Sequence, residues 1–167
     1  YAAAWANKGV TLAHQGKYDE AIQTFDEAIR IDPNNAAAWY NKGLALADQD
    51  KLDEAIQAYE EAIRIDPNHA AAWNNKGLAL DYQEKYDEAI QTLDEAIRID
   101  PDFAGTWLNK GIALYGQDKY DEAIKAFDEA IRLDPNYAKA WYNKGRVLEA
   151  LGRTAEATAA FIKAHEL

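Results

Sequence analysis

Cysteine, methionine and serine are all missing from the 167 residues, and proline occurs only four times. Without cysteine there are no disulfides, thiolate metal ligands or thiol nucleophiles. Without serine the commonest hydroxyl nucleophile is also gone, and no Thr, Lys, Asp or Glu stands beside a recognisable base. His14, His69 and His165 fall at unrelated positions, so they do not supply the three or four converging ligands that a zinc ion needs. No apolar run approaches the roughly 20 residues that cross a bilayer, and no basic-then-apolar leader is present. Positive charge is scarce too. The net charge is −11, and the clustered Lys and Arg that phosphate binding requires do not occur. The expectation is a cytoplasmic chain with no catalytic residue, no metal, no cofactor, no nucleic-acid partner and no membrane partner. The missing initiator methionine, and a Tyr1-Ala2 start that repeats Tyr137-Ala138, predict a natural chain that extends upstream.

What is present is a repeat. Tryptophan returns every 34 residues at Trp5, Trp39, Trp73, Trp107 and Trp141, and proline does so at Pro33, Pro67, Pro101 and Pro135. Between Ala2–Asn35 and Ala36–His69, 24 of 34 positions are identical. Such a chain buries apolar surface between neighbouring units and needs no central core. The expected organisation is one repeat domain over 1–167, with units at 2–35, 36–69, 70–103, 104–137 and 138–167. Their net charges run −2, −4, −5, −2 and +2. In the fifth, Thr154 replaces Tyr18, Tyr86 and Tyr120, and His165 replaces Ile29, Ile63, Ile97 and Ile131. That more polar ridge suits a C-terminal cap.

Each unit carries two helical patterns and no strand pattern. The first should begin after Pro-Asn, capped by Asn35, Asn68, Asn136 or their neighbours, and run to about Gln15, Gln49, Gln83 or Gln117. Trp5, Lys8, Gly9 and Leu12 share one face, which is expected to pack inward. A glycine inside a helix costs about 1 kcal/mol relative to alanine, so its recurrence at Gly9, Gly43, Gly77, Gly111 and Gly145 predicts a crossing helix with no room for a side chain. The second helix should start at Asp19, Asp53, Asp87 and Asp121, each able to cap. Asp26 to Arg30, Glu60 to Arg64, Asp94 to Arg98 and Asp128 to Arg132 have the spacing of exposed i,i+4 ion pairs.

These positions resemble the tetratricopeptide repeat, W-x2-L-G-x2-Y, then A-x3-F, then P. Trp5, Gly9, Ala21, Phe25, Ala28 and Pro33 match, and Tyr59, Leu93, Phe127 and Phe161 take the aromatic site of later units. Two departures recur. Lys8, Lys42, Lys76, Lys110 and Lys144 stand at the usual leucine, and Leu12 and its equivalents stand at the usual tyrosine. The resemblance implies an all-α fold, a right-handed superhelical solenoid of antiparallel helix pairs, and a noncatalytic scaffold that holds a peptide or partner helix in its concave groove.

Carried over by position, the resemblance places these groove residues on the first helices: Asn7; Tyr40, Asn41, Leu44 and Asp48; Asn75, Leu78, Asp81 and Tyr82; Leu108, Asn109, Ile112 and Tyr115; Tyr142, Asn143 and Arg146. The asparagine ladder suits a peptide backbone, since an amide donates and accepts at once; bonding within its own repeat is the alternative. The tyrosines suit a recognition surface or half-buried packing. The two-carboxylate clamp of the members that capture acidic chaperone tails is absent, because Ala6 and Val10, Tyr40 and Leu44, or Asn74 and Leu78 occupy its first positions. The expected ligand has apolar or aromatic anchors and a basic residue facing Asp48 or Asp81. The rival expectation is self-association through the terminal repeats.

Overall fold

The computed structural model describes every residue from Tyr1 to Leu167 and contains helices only. They are α1 (Ala2–His14), α2 (Tyr18–Ile31), α3 (Ala36–Ala47), α4 (Leu52–Ile65), α5 (Ala70–Tyr82), α6 (Tyr86–Ile99), α7 (Ala104–Gly116), α8 (Tyr120–Leu133), α9 (Ala138–Ala150) and α10 (Thr154–Glu166). They fall into two compact units, Tyr1–Gln83 with α1 to α5 and Glu84–Leu167 with α6 to α10. Within each unit consecutive helices pack as a tandem series of hairpins, the arrangement of a helical solenoid.

The hairpin turns explain their own sequence. In the first, the Lys17 N–H donates to Leu12 O at 3.0 Å and the Gly16 N–H to Ala13 O at 2.9 Å. This paired closure requires a left-handed residue between the helices. Gly16 supplies it at φ 73°, and Asp50, Glu84 and Asp118 are held at 60°, 59° and 58° at the equivalent place. Each long second helix ends where its Asp turns extended before proline, as at Asp32. The Trp39 indole N–H then donates to Pro33 O at 3.2 Å, and Trp73, Trp107 and Trp141 make the same bond to Pro67, Pro101 and Pro135. Tryptophan and proline therefore recur together because one ties down the loop the other begins.

Four of the five recurrent glycines lie under aromatic rings. A Cβ on Gly9 would stand 2.6 Å from the Phe25 ring, and Gly43, Gly111 and Gly145 meet Tyr59, Phe127 and Phe161 in the same way. Phe25, Tyr59 and Phe127 are wholly buried, and burial pushes the Tyr59 phenol pKa upward.

The first-helix caps fall at Asn35 and, for Asn68 and Asn136, at their neighbours His69 and Tyr137; Asn35 and His69 accept from the Ala38 and Ala72 amides. Two other local expectations need correction. Asp19, Asp53, Asp87 and Asp121 do not cap, because each sits inside the first turn after a lysine. Three of them instead reach the next hairpin: Asp19, Asp53 and Asp87 accept from the side-chain amides of Gln49, Gln83 and Gln117 at 2.9, 2.8 and 2.6 Å. The i,i+4 ion pairs are also replaced. Arg30, Arg64, Arg98 and Arg132 turn to the glutamate three residues back. The freed acids Asp26, Glu60, Asp94 and Asp128 bind Lys42, Lys76, Lys110 and Lys144 of the following hairpin at 2.6 to 2.8 Å. The lysine that departs from the repeat consensus is thus a junction residue. Its stem lies along the tryptophan, with the Lys42 ammonium 5.4 Å from the Trp39 ring centre. That face is therefore split: Gly43 and Leu46 are buried as expected, while Trp39 and Lys42 are half-exposed.

Candidate functional site

In the Tyr1–Gln83 unit two neighbouring clefts open beside the first helices. The larger, about 460 Å³, is walled by Leu44, Asp48, Tyr59, Asn75, Leu78 and Tyr82, with Asp50 at its edge. The smaller, about 300 Å³, is walled by Val10, His14, Phe25, Asn41, Leu44 and Asp48. Leu44 and Asp48 belong to both, so the two clefts share one wall that carries an aliphatic side chain and an exposed carboxylate. Tyr82 stands at 69% exposure on the rim. Such a surface offers apolar contact along its floor and negative charge on its walls.

Other expected groove residues of this unit have structural occupations. Tyr40 is half-buried, its ring 4.8 Å from His69 and 6.0 Å from Tyr59, and its hydroxyl accepts from the Asn75 amide at 3.0 Å. Burial raises the Tyr40 pKa, and the bond from Asn75 opposes that rise. Tyr40 is therefore a packing residue, and Asn75 is held by it. The Asn41 amide N–H donates to Ala37 O, one turn back in its own helix, at 2.8 Å. Asn7 is exposed. Asp81 is half-buried with one carboxylate oxygen, Oδ1, lacking any hydrogen-bond partner, and desolvation pushes its pKa up to about 6.

In the Glu84–Leu167 unit, Leu108 is 5% exposed and belongs to the core with Leu114, Ala140 and Val147, not to a groove. The residue after tryptophan is covered there because the first helix of the following hairpin packs alongside its own. Ile112 is half-buried against the same core. The Tyr115 ring lies between Tyr120, 5.7 Å away, and the Arg146 guanidinium, 5.0 Å away. Asn109 is half-buried. Asn143 donates to Lys139 O at 2.8 Å, repeating the bond of Asn41. Tyr142 is 53% exposed and leans on Phe161 at 5.5 Å. A cleft of about 390 Å³ lies beside it, lined by Lys139, Tyr142, Asn143, Phe161 and His165. The residue that reasoning from sequence overlooked, Asp50, lies in the turn after α3, where periodicity does not report direction, whereas His14, carried over with Val10 as a groove position, does line the smaller cleft.

Tandem antiparallel helix hairpins joined by short turns, with clefts beside their first helices, define the class: a helical-repeat solenoid. Family profiles described as tetratricopeptide repeat match residues 32–70, 40–102 and 108–166, with further matches at 9–50 and 80–127. The chain belongs to the tetratricopeptide repeat family and, with that family, is a protein-interaction scaffold. Among solved structures it resembles MamA at TM-score 0.87 and 26% identity, covering 95% of this chain and 92% of that one. MamA of Desulfovibrio magneticus RS-1, from residue 41 to its end, matches at TM-score 0.91 and 25% identity, covering 99% and 94%. YrrB, described as a TPR protein with an unusual peptide-binding site, shares the fold at TM-score 0.79 and 23% identity, covering 97% and 84%. No curated protein sequence matches the chain. No helix is long and apolar enough to cross a membrane.

Proposed function

We propose that the Tyr1–Gln83 unit holds a peptide or partner helix in its paired clefts, seating an aliphatic or aromatic side chain against Leu44 and Leu78 and a Lys or Arg beside Asp48. The carrying observation is the shared wall of Leu44 and Asp48, which presents an apolar anchor point and an exposed carboxylate together. Tyr82 supplies rim contact, since an exposed aromatic offers large contact area at low conformational cost. YrrB, alike in fold, is described as having a peptide-binding site, which favours a peptide ligand without indicating its sequence. Asn7, Asn41 and Asn75 contribute backbone recognition only through polar atoms beyond those occupied within the fold. In the Glu84–Leu167 unit, Tyr142 and Asn143 would serve a separate recognition surface at their own cleft, and Arg146 would serve at Tyr115.

A displayed random-peptide library panned on the whole chain tests this reading. The selected peptides should pair an aliphatic or aromatic residue with Lys or Arg. Replacing Leu78 and Tyr82 by alanine should weaken them at least about tenfold, the loss expected of two central contacts. Asp48→Lys should shift selection away from basic residues. Unchanged binding in the Leu78/Tyr82 variant, with helicity retained, would overturn the assignment.

A further inference from the structure

The aromatic site of the second helices holds Phe25, Tyr59, Leu93, Phe127 and Phe161 in turn, so one hairpin alone carries a hydroxyl there. Tyr59 is 1% exposed, and it lines the larger cleft. Its hydroxyl makes no hydrogen bond within the fold. Nor is it sealed off, since the fully enclosed unpaired side-chain atoms are Asp81 Oδ1 and the Oε1 atoms of Gln49, Gln83 and Gln117. An unpaired polar atom in so dry a setting costs stability that phenylalanine would not. The phenol keeps its proton, because burial above all, and then neighbouring Tyr40 and Asp48, push its pKa upward. It is a neutral group whose oxygen is free to accept a hydrogen bond.

The rest of the cleft says what should meet that oxygen. Asp48 stands on the wall and Asp50 at the edge, and no lysine or arginine lines the space. A ligand carboxylate would be repelled there, and a purely aliphatic side chain would leave the hydroxyl unpaired. The fold itself shows what fits such a seam. Two repeats further on, between α7 and α9, Tyr115 and Arg146 stand at the places of Ala47 and Leu78, and the guanidinium lies 5.0 Å from the ring centre. That seam has Gly116 and Phe127 where the cleft has Asp48 and Tyr59. It is filled by its own arginine and lacks both polar groups. The cleft lacks the filling and has both of them.

We infer that the larger cleft is an arginine pocket, in which a peptide side chain, beside the apolar anchor at Leu44 and Leu78, gives guanidinium N–H groups to the Asp48 carboxylate and the Tyr59 hydroxyl oxygen. The inference rests on the peptide-binding reading above and narrows its basic residue to one kind. Lysine is the poorer occupant. A guanidinium is planar and weakly hydrated, so its N–H groups can serve two acceptors while its face covers the exposed Tyr82 ring on the rim. An ammonium is a strongly hydrated point charge and gives up more water to reach a buried oxygen.

The test uses the whole chain and the peptides selected from the random library. Arginine should be the basic residue selected. The same peptides resynthesised with lysine in its place should bind at least about tenfold more weakly. Tyr59→Phe should fold, since Phe25 and Phe127 are buried at the same site of other hairpins, with a melting temperature no lower than that of the wild type. It should weaken the arginine peptides about tenfold and their lysine forms less than about twofold, so that the preference collapses. Binders with no basic residue, or with lysine as often as arginine, would overturn the pocket while leaving a peptide-binding cleft in place. A preference unchanged in Tyr59→Phe would do the same. Equal weakening of both peptide forms would mark the hydroxyl as structural and overturn the pocket as well. Arginine peptides that bind the Leu78/Tyr82 variant undiminished would overturn the peptide-binding reading and the pocket together.

Discussion

Gly43 and Asp81 show how single positions are decided by what surrounds them. Alanine is the better helix former by about 1 kcal/mol, yet a Cβ on Gly43 would lie 2.5 Å from the ring of Tyr59, which is wholly buried and has nowhere to go. Gly43→Ala should therefore destabilise the chain by about 1–3 kcal/mol, the usual cost of overpacking, measured by urea unfolding. Asp81 has the opposite character, a residue whose burial costs stability. Its pKa rises to about 6 because the folded state desolvates the carboxylate. Below the unfolded value both states are protonated and the group contributes nothing. Above about 6 both are ionised and the native state bears the cost of the buried charge. The wild-type chain should thus gain stability from this group as pH falls from 7 through 6 towards 4. Asp81→Asn should be more stable near pH 7 by about 1 kcal/mol, discounted for the group's partial solvent access, and the gain should vanish near pH 4. Melting temperatures of both chains across that range check the sign.

At the scale of the element, the hairpin turn and the junction carry the argument. The turn needs φ near +60°, which glycine adopts freely at Gly16 and Gly152 but Glu84 adopts at a cost. Glu84→Gly should raise stability by up to about 1 kcal/mol, and Gly16→Ala should lower it by a similar amount, both read from thermal unfolding. The junction acids were legible as charges but not as partners. Asp26 has the spacing to reach Arg30 on its own helix, and the structure gives it Lys42 instead, because the lysine is already laid flat along Trp39 and aimed across the gap. A double-mutant cycle of Asp26→Ala and Lys42→Ala should return a coupling of roughly 0.5–1 kcal/mol, at the upper end for an ion pair open to water. The cycle of Asp26 with Arg30 should return none.

For the whole molecule, stability in a repeat array is a sum of hairpin and junction contributions, so the ends are weakest. Trp5 and Leu12 are more exposed than their equivalents inside the array. Amide exchange should accordingly be fastest in α1 and α10 and slowest in the helices flanked on both sides, α3 and α8 among them. Uniform protection along the chain would contradict this picture. The same additivity leaves the cleft residues Leu78 and Tyr82 free to vary, since neither closes a turn or a junction.

The sequence by itself determined the family, the helix pairs, the 34-residue register and the glycine at each helix crossing. All of these are periodic, and periodicity is a local property of the chain. Tertiary structure decided which polar groups meet between hairpins, why Leu108 belongs to the core, and why Tyr40 is held by Asn75 and His69. It also decided that the exposed apolar and acidic groups converge at Leu44 and Asp48. Those outcomes depend on how adjacent helices cross, and the crossing is set by the packing of several repeats at once, which no single repeat encodes.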